Sequence, residues 1–139
     1  MDAMVGHRSE RYARYGWASA RLDDVAAWVP ARVTAGLVAG CRPAAARAVW
    51  RTVRRDAGAH PSPNAGVAEG AFAAALGLRL GGPSRYGDRV ERRPVLGDGR
   101  SPELADIGRA VALSRDVTLA LAGVLASADL ASRVARRRR

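Results

Sequence analysis

The stretch Leu22-Asp-Asp-Val-Ala-Ala-Trp-Val-Pro-Ala-Arg-Val-Thr-Ala-Gly-Leu37 indicates a helical fold. Its apolar residues recur at the spacing of a helix, at Leu22, Val25, Ala26, Val29, Val33 and Leu37. Asp23 and Asp24 would lie in the first turn, where the helix dipole favours anions. Pro30 removes a backbone donor and predicts a kink, and Gly40 predicts the end of the helix.

The residues that follow predict two more helices with a rigid loop between them. Pro43 suits the first turn of a helix that Gly58 would end. His60-Pro-Ser-Pro-Asn64 predicts a loop fixed by its two prolines, with Asn64 capping a helix that runs from Ala65 to about Leu76. This helix contains Gly66-Val-Ala-Glu-Gly70, and such small residues let a second helix approach closely.

The second half of the chain predicts loops, a short hairpin and a long last helix. Residues 78–100 are rich in Gly and Pro, and we expect a hairpin around Arg89–Val95. Ser101-Pro-Glu predicts a cap, a proline at the first helical position and an acidic first turn. Aromatic residues are 5% of the chain, so we expect helices packed through small side chains rather than a core of large ones. The predicted fold is mainly α: a small helical domain with Gly/Pro-rich loops and one short hairpin, and residues 1–139 form a single domain.

An uncharged run, Val117–Ala128, lies within the last helix between Asp116 and Asp129. It is shorter than the roughly 20 apolar residues that a membrane span needs. It could still lie in a membrane if Asp116 and Arg115 face protein, or if the helix lies obliquely. The basic tail, residues 133–139, would then stay on the cytoplasmic side. The alternative is a soluble amphipathic helix with a disordered tail.

The net charge of +10 indicates a polyanionic partner, such as nucleic acid, anionic lipid or phosphorylated substrates. All 23 basic residues are Arg, which a GC-rich genome would also produce. Because the sequence contains no Lys, it can form neither a pyridoxal phosphate Schiff base nor the lysine-dependent phosphate site of a P-loop. Cys41 is the single cysteine, which excludes an intrachain disulfide and argues against a zinc site. The charges from His7 to Arg14 do not fit a signal peptide.

The second helix carries a basic stripe, formed by Arg47, Arg51, Arg54 and Arg55. Such a stripe is either a solvated helix face or a surface that contacts lipid headgroups or a substrate phosphate. The sequence argues against nucleic acid, because the arginines are dispersed and few aromatic side chains are available for base stacking. A basic nucleic-acid-binding protein nevertheless remains an alternative.

Several short motifs resemble, in order, those of the CobD/CbiB family of cobalamin biosynthesis. They are Asp2-Ala-Met-Val-Gly-His7, Gly16-Trp-Ala-Ser-Ala-Arg-Leu-Asp-Asp24, Val29-Pro-Ala-Arg-Val-Thr34, Arg55-Asp56, His60-Pro-Ser-Pro-Asn-Ala-Gly66 and Leu78-Arg-Leu-Gly-Gly-Pro83. The chain departs from the family pattern at His7, Ser9 and Val67-Ala68. The resemblance extends from Asp2 to roughly Leu113.

This resemblance implies a multi-pass protein of the cell membrane with a cytoplasmic-facing site. It implies an ATP-dependent ligase, adenosylcobinamide-phosphate synthase, that joins aminopropanol or its phosphate to adenosylcobyric acid, a corrinoid. Membrane lipid and other enzymes of cobalamin biosynthesis are the implied partners. Because the family has a membrane-spanning portion before the position of Asp2, we expect this chain to be a C-terminal part of such an enzyme. An inactive membrane-associated fragment is the alternative.

Amide ligation needs an activated carboxylate, neutralisation of the charge on ATP by Mg²⁺ and Arg, and a base for the amine. The catalytic candidates are Glu10, Arg21, His60 and Glu69. Those for binding ATP or the corrinoid are Arg11, Arg32, Arg55, Asn64, Arg79, Gly81 and Gly82.

Three of these assignments have open alternatives. Asp23 and Asp24 are candidate Mg²⁺ ligands or merely charges at a helix start. His60 is a base, a phosphate donor or a loop histidine that binds backbone groups, and Gly81-Gly82 is a phosphate-binding backbone or a turn. Arg32 lies among apolar residues, so we expect it to have an anionic partner.

Overall fold

The computed structural model describes residues 13–87 and 89–137, and these are mainly helical. The elements in chain order are α1 (Ala13–Ala26), α2 (Trp28–Cys41), a 3-10 turn (Pro43–Ala45), α3 (Ala46–Asp56), a second 3-10 turn (Ala57–Ala59), α4 (Ala65–Leu76), β1 (Leu80–Tyr86), β2 (Arg89–Leu96) and α5 (Ala105–Arg137). The predicted mainly α fold with one short hairpin is confirmed, and the two strands are antiparallel. The predicted position of the hairpin is wrong, because Arg89–Val95 belongs to β2 alone and the hairpin begins at Leu80.

Pro30 interrupts the first predicted helix, but the break lies at Ala27 rather than at the proline. Pro30 has no N–H for the carbonyl of Ala26, whereas the bonds on either side persist, from Ala27 N to Asp23 O (2.8 Å) and from Ala31 N to Ala27 O (3.0 Å). The second part ends at Cys41, one residue after Gly40. The prediction of a proline-dependent interruption is thus confirmed, three residues upstream of its expected place.

The start of the first helix was predicted wrongly. Helix α1 begins by Ala13, so Asp23 and Asp24 lie near its C-terminal end and not in a first turn. The segment before Leu22 contains Ala-Ser-Ala-Arg, whose helix-forming residues supply carbonyls for the next turn. Carboxylates at a helix C-terminus gain nothing from the dipole. Their explanation as helix-start charges is therefore excluded.

The core is built largely from small residues, as the composition predicts. Helix α2 contributes Ala31, Ala35, Val38 and Ala39, and the largest fully buried side chains are Leu96, Leu113, Val38 and Val49. The apolar stripe of the opening sequence is not part of this core: Leu22, Val25 and Val29 are 72%, 75% and 58% exposed. An exposed apolar stripe of this kind is typical of a surface that meets lipid or another protein segment.

Helix α4 packs against α3 and against the 3-10 turn that follows α3, and its two glycines face these neighbours. A Cβ atom on Gly66 would lie 2.6 Å from the carbonyl oxygen of Ala57 and 2.7 Å from Cβ of His60. At Gly70 the nearest atom is the Thr52 methyl group, at an ordinary 3.5 Å. The predicted contact with a second helix is confirmed at Gly70, whereas the tight approach at Gly66 is to the 3-10 turn and the loop that follow α3.

Helix α5 begins at Ala105, later than Ser101-Pro-Glu predicts. Asp106 is buried and accepts hydrogen bonds from Arg100, from Arg109 and from the backbone N–H of Glu103. These bonds hold residues 101–104 as a turn ahead of the helix. The predicted cap at Ser101 is wrong because the carboxylate of Asp106 binds the free backbone N–H in its place.

Helix α5 alone among the described helices is long and apolar enough to cross a membrane, by length and composition. Its most apolar window of 18 residues has a mean hydropathy of 1.5, and 11% of that window is buried. The helix continues to Arg137, so the expectation of a disordered tail is wrong for residues 133–137. Asp116 faces protein, because it pairs with Arg42 at 2.9 Å. The Arg115 side chain is 72% exposed, so the condition that both residues face protein is met at Asp116 only.

Candidate functional site

Asn64 joins three segments of the fold at the start of α4. Its side-chain oxygen accepts a hydrogen bond from Nη1 of Arg32 at 2.8 Å, and its Nδ2 donates to the carbonyl oxygen of Asp24 at 2.7 Å. The residue is buried, with 7% of its surface exposed. Asn64 thus holds α1 and α2 against the loop before α4, and it brings three sequence-predicted site residues together.

Asn64 stands at the N-cap position of α4, as predicted, but its side chain makes no capping hydrogen bond. The hydroxyl oxygen of Ser62 instead accepts from Ala65 N at 3.4 Å. The side-chain capping role predicted for Asn64 is therefore wrong, because its amide group is engaged by Arg32 and Asp24.

Arg32 is half-buried, and the anionic partner predicted for it is absent from the described part of the chain. Its guanidinium bonds to Asn64 and to the carbonyl oxygen of Trp28, and it lies 4.3 Å from the centroid of the Trp28 ring. Amide oxygens and an indole face replace the carboxylate. Because these partners are neutral, the full positive charge of Arg32 remains available to an anionic ligand.

His60, at the other end of the loop from Asn64, pairs with Glu69 of α4. Nδ1 of His60 lies 3.1 Å from the backbone nitrogen and 3.0 Å from the carbonyl oxygen of Ser62, which fixes the ring. Nε2 of His60 lies 3.8 Å from Oε2 of Glu69. In the tautomer with the proton on Nε2, Nδ1 accepts from Ser62 N–H and the Nε2–H group faces the carboxylate.

Glu69 also lines an apolar groove of about 410 Å³ between α4 and the start of α5. Phe72, Leu76, Leu80 and Ile107 form much of its wall. His60 is mostly buried and the side chain of Glu69 is half exposed, so the carboxylate is the member of the pair that a ligand reaches first. A carboxylate at the edge of an apolar groove can receive a proton from a ligand held there.

The described residues contain no group of three or more His, Cys, Asp or Glu side chains that could hold a metal ion. Asp23 is exposed and Asp24 is half-buried. Neighbouring helical residues point about 100° apart, so the two carboxylates do not face one ion together. Mg²⁺ commonly takes one or two carboxylates together with phosphate oxygens. Asp24, whose backbone Asn64 holds near Arg32, fits that pattern better than Asp23.

Arg55 belongs to a separate cluster that connects α3 to the end of the hairpin. It donates hydrogen bonds to both carboxylate oxygens of Asp56 and to both of Asp98, and Asp56 also accepts from Gly97 N at 2.9 Å. The Arg55 guanidinium lowers the pKa of Asp56, and the Gly97 N–H adds to this effect. Arg55 therefore has a structural role. To bind a ligand as predicted, it would have to break its hydrogen bonds to Asp56 or Asp98.

Arg79, Gly81 and Gly82 line another groove, of about 490 Å³, at the base of the hairpin. A Cβ atom on Gly81 would overlap the carbonyl oxygen of Pro94, so the close approach that Gly81 permits is to the opposite strand. Gly82 has a φ of +90° with open space beside it. A bulge between Leu80 and Gly82 accounts for both glycines without a ligand.

The remaining predicted site residues lie apart from these clusters. Arg21 is exposed, 5.6 Å from the centroid of the Trp17 ring. Glu10 and Arg11 lie outside the described residues, so their predicted roles stay predictions.

Sequence reasoning missed two features of these clusters. Trp28 stacks on Arg32, and the spacing of four residues within one helix was the available signal. The buried carboxylate of Asp106 was signalled by Arg109 three residues later.

Comparison with known proteins gives concordant matches. A family model described as CobD/Cbib protein matches residues 1–114. Cobalamin biosynthesis protein CobD of Mycobacterium tuberculosis is 59% identical over 129 residues, which are 91% of this chain and 41% of that protein. The protein of that name from Rhodobacter capsulatus is 48% identical over 116 residues (83% and 37%), and the one from Chromobacterium violaceum is 46% identical over 133 residues (94% and 41%). The chain spans about two fifths of the length of these relatives. No solved structure gives a significant match.

Proposed function

Because this chain belongs to the CobD/CbiB family, we propose that it takes part in cobalamin biosynthesis as a portion of an ATP-dependent ligase. The ligase joins aminopropanol or its phosphate to a carboxylate of adenosylcobyric acid. The names of the relatives support the pathway. The observation that supports the chemistry is the arrangement around the loop at residues 60–64. Asn64, at one end of the loop, bonds to the guanidinium of Arg32, which has no anionic partner among the described residues. His60, at the other end, pairs with the carboxylate of Glu69.

In this proposal Glu69 receives the proton of the amine. The amine nitrogen forms a bond to the activated acyl carbon, phosphate leaves with the electron pair of the broken C–O bond, and the nitrogen loses a proton to the Glu69 carboxylate. His60, held by Ser62, directs its Nε2–H group toward Glu69 and stabilises the negative charge before transfer. General base catalysis of this kind contributes about 10²–10⁴-fold to a rate.

Arg32 binds the phosphate that activates the acyl group or leaves from it. Its neutral partners, Asn64 and Trp28, orient the guanidinium without cancelling its charge. ATP supplies the phosphoryl group, and Mg²⁺ would be held by Asp24 together with phosphate oxygens. The apolar groove beside Glu69 excludes water from one side of the reacting amine.

We place the reaction at the cell membrane, on the cytoplasmic side. Support comes from the length and apolar composition of α5, from the ion pair between Asp116 and Arg42, and from the exposed apolar stripe on α1 and α2. Fractionation tests this part of the proposal. Recovery of the protein wholly in the soluble fraction at moderate salt would contradict it.

The activity is tested with membranes from a strain that lacks its own CobD/CbiB gene and expresses this protein. Adenosylcobyric acid, the amino alcohol or its phosphate, ATP and Mg²⁺ are supplied, and the corrinoid amide is measured. We expect amide formation that stops when ATP or the amine is omitted. Absence of amide from folded, membrane-recovered protein would favour the alternative of an inactive membrane-associated fragment.

A further inference from the structure

Helix α3 carries a second positively charged surface that the proposed reaction does not use. We call it the basic face; it consists of Arg47, Trp50, Arg51 and Arg54, which line an open groove with Arg55. Arg55 is neutralised by Asp56 and Asp98. Arg47, Arg51 and Arg54 are exposed, and the described residues place no carboxylate within ion-pair distance of them. The surface therefore has three uncompensated positive charges within two turns of one helix.

The packing of α3 fixes the direction in which the basic face points. Val49 and Thr52 are buried on the opposite side, against α2 and α4, so the helix cannot rotate to hide its arginines. Trp50 lies between Arg47 and Arg51 and is 41% exposed. An indole ring half in contact with solvent and flanked by arginines is typical of the boundary between a membrane and water.

The basic face is also tethered to the helix that can cross a membrane. Arg42, four residues before α3, pairs with Asp116 of α5 at 2.9 Å. Asp116 stands directly before the uncharged run Val117–Ala128. If that run enters lipid, its polar boundary lies at Asp116, and α3 starts close to that boundary.

We propose that the basic face of α3 docks on the headgroups of anionic phospholipids. This proposal does not depend on the ligase reaction. A soluble nucleotide is a poorer occupant, because the groove is open and no buried polar side chain points into it. Nucleic acid is poorer as well, since the face offers one aromatic ring whereas strand-binding surfaces use several. Phosphodiester headgroups on a surface match three arginines spread along a helix, each of which contributes about fivefold to binding.

The test compares binding of the full chain to vesicles of phosphatidylcholine alone and to vesicles that also contain phosphatidylglycerol. Apolar insertion, including any insertion of α5, contributes to both, so the ratio of the two affinities isolates the contribution of lipid charge. We expect the variant R47Q/R51Q to lower this ratio about thirtyfold. The matched variant R85Q/R92Q removes the same charge from the hairpin and should change the ratio by less than about twofold.

Two further variants and two competitors complete the experiment. R51E reverses one charge and should lower the ratio about as much as the double variant, while W50S should weaken binding to both kinds of vesicle. Circular dichroism confirms that each variant retains its helices. Equal ratios for R47Q/R51Q and R85Q/R92Q would overturn the proposal. It would also be overturned if soluble glycerol phosphate displaced the protein, or if DNA bound through these arginines more tightly than the vesicles at physiological salt.

Discussion

The guanidinium of Arg32 donates a hydrogen bond to the side-chain oxygen of Asn64 over 2.8 Å, and this bond joins α2 to the loop that precedes α4. Asn64 in turn donates to the carbonyl oxygen of Asp24 at the end of α1. The neutral side-chain amide of Asn64 therefore positions both the guanidinium of Arg32 and the backbone of Asp24. Because Asn64 can neither neutralise Arg32 nor repel an incoming anion, the arrangement suits a site for a phosphate.

Truncation of Asn64 should therefore affect both stability and activity. We expect Asn64→Ala to lower the free energy of unfolding by about 1–3 kcal/mol, since it removes the buried side-chain amide that bonds to the half-buried Arg32 and Asp24. Chemical denaturation measures this loss. In a double-mutant cycle with Arg32→Ala, the two effects should be less than additive, because both variants remove the same bond. Strict additivity would show that the bond contributes nothing.

Arg32→Ala should reduce amide formation far more than Arg136→Ala does. Arg32 is fixed by Asn64 and Trp28, whereas Arg136 is exposed near the end of α5. We expect the Arg32 variant to lose about 1.5–3 kcal/mol of binding to the charged phosphate, and the Arg136 variant about 0–1 kcal/mol. Rates at ATP concentrations below KM, where a loss of binding lowers the rate, compare the two. Equal rates would remove Arg32 from the site.

Glu69→Gln should slow amide formation about 10²–10⁴-fold, because the amide side chain cannot accept the proton of the amine. Glu103→Gln is the matched control, since Glu103 lines the same groove from the other side and is exposed. Its rate should stay close to that of the unmodified protein. The affinity for the amine distinguishes a base from a binding residue: a base variant loses turnover with little change in KM. Similar losses in the two variants would contradict a special role for Glu69.

The sequence predicted the helices well and the partners of their side chains poorly. Periodicity, Pro43 and the Gly66–Gly70 spacing depend on local geometry, and they correctly predicted helices and their contact. The partner of Arg32 lies 32 residues away along the chain, and nothing local to Arg32 indicates an amide rather than a carboxylate.

The cap predicted at Ser101 failed for a similar reason. The buried carboxylate of Asp106 accepts from the backbone N–H of Glu103, which a cap at Ser101 would have bound, and burial is a tertiary property. The pairing of His60 with Glu69 was not derivable either, although both were candidates, because it depends on how the Pro-containing loop returns to α4.

Asp24→Asn should raise the Mg²⁺ concentration that amide formation requires, and it should also lower the rate. Mg²⁺ prefers hard, charged oxygen ligands, and an amide is a weaker one than a carboxylate. Asp23→Asn is the control, because Asp23 is exposed, whereas Asp24 is half-buried and its backbone is bound to Asn64. A titration with Mg²⁺ at fixed ATP measures both variants. Unchanged Mg²⁺ dependence in Asp24→Asn would exclude this carboxylate as a ligand.

Asp56 should make the fold sensitive to acid. Its pKa is lowered in the folded protein, chiefly by hydrogen bonds from Arg55, so the folded state binds fewer protons here than the unfolded state. The stabilisation is therefore complete above the ordinary carboxyl pKa of about 3.9 and is lost as the pH falls through and below it. Asp56→Asn should lower the melting temperature at neutral pH and flatten its decline below about pH 4. Asp98→Asn, at an exposed carboxylate, should retain the decline.

The two glycines of α4 should respond to alanine in opposite ways. At Gly66 a methyl group would collide with the carbonyl oxygen of Ala57 and with Cβ of His60, so Gly66→Ala must push α4 away from the loop. We expect a loss of about 1–3 kcal/mol in stability. The rate of amide formation should fall too, because the displacement separates His60 from Glu69.

Gly70→Ala adds the same methyl group one turn later, where it would meet the Thr52 methyl at 3.5 Å. Van der Waals contact at that distance costs little, and alanine in a helix interior is favoured over glycine by about 0.5–1 kcal/mol. We therefore expect unchanged activity and equal or higher stability. Thermal melts and amide formation measured on both variants decide the matter. If alanine left stability and activity equally unchanged at Gly66 and at Gly70, the loop before α4 could move without cost. The position of His60 beside Glu69 would then not be fixed, which would contradict the proposed proton transfer.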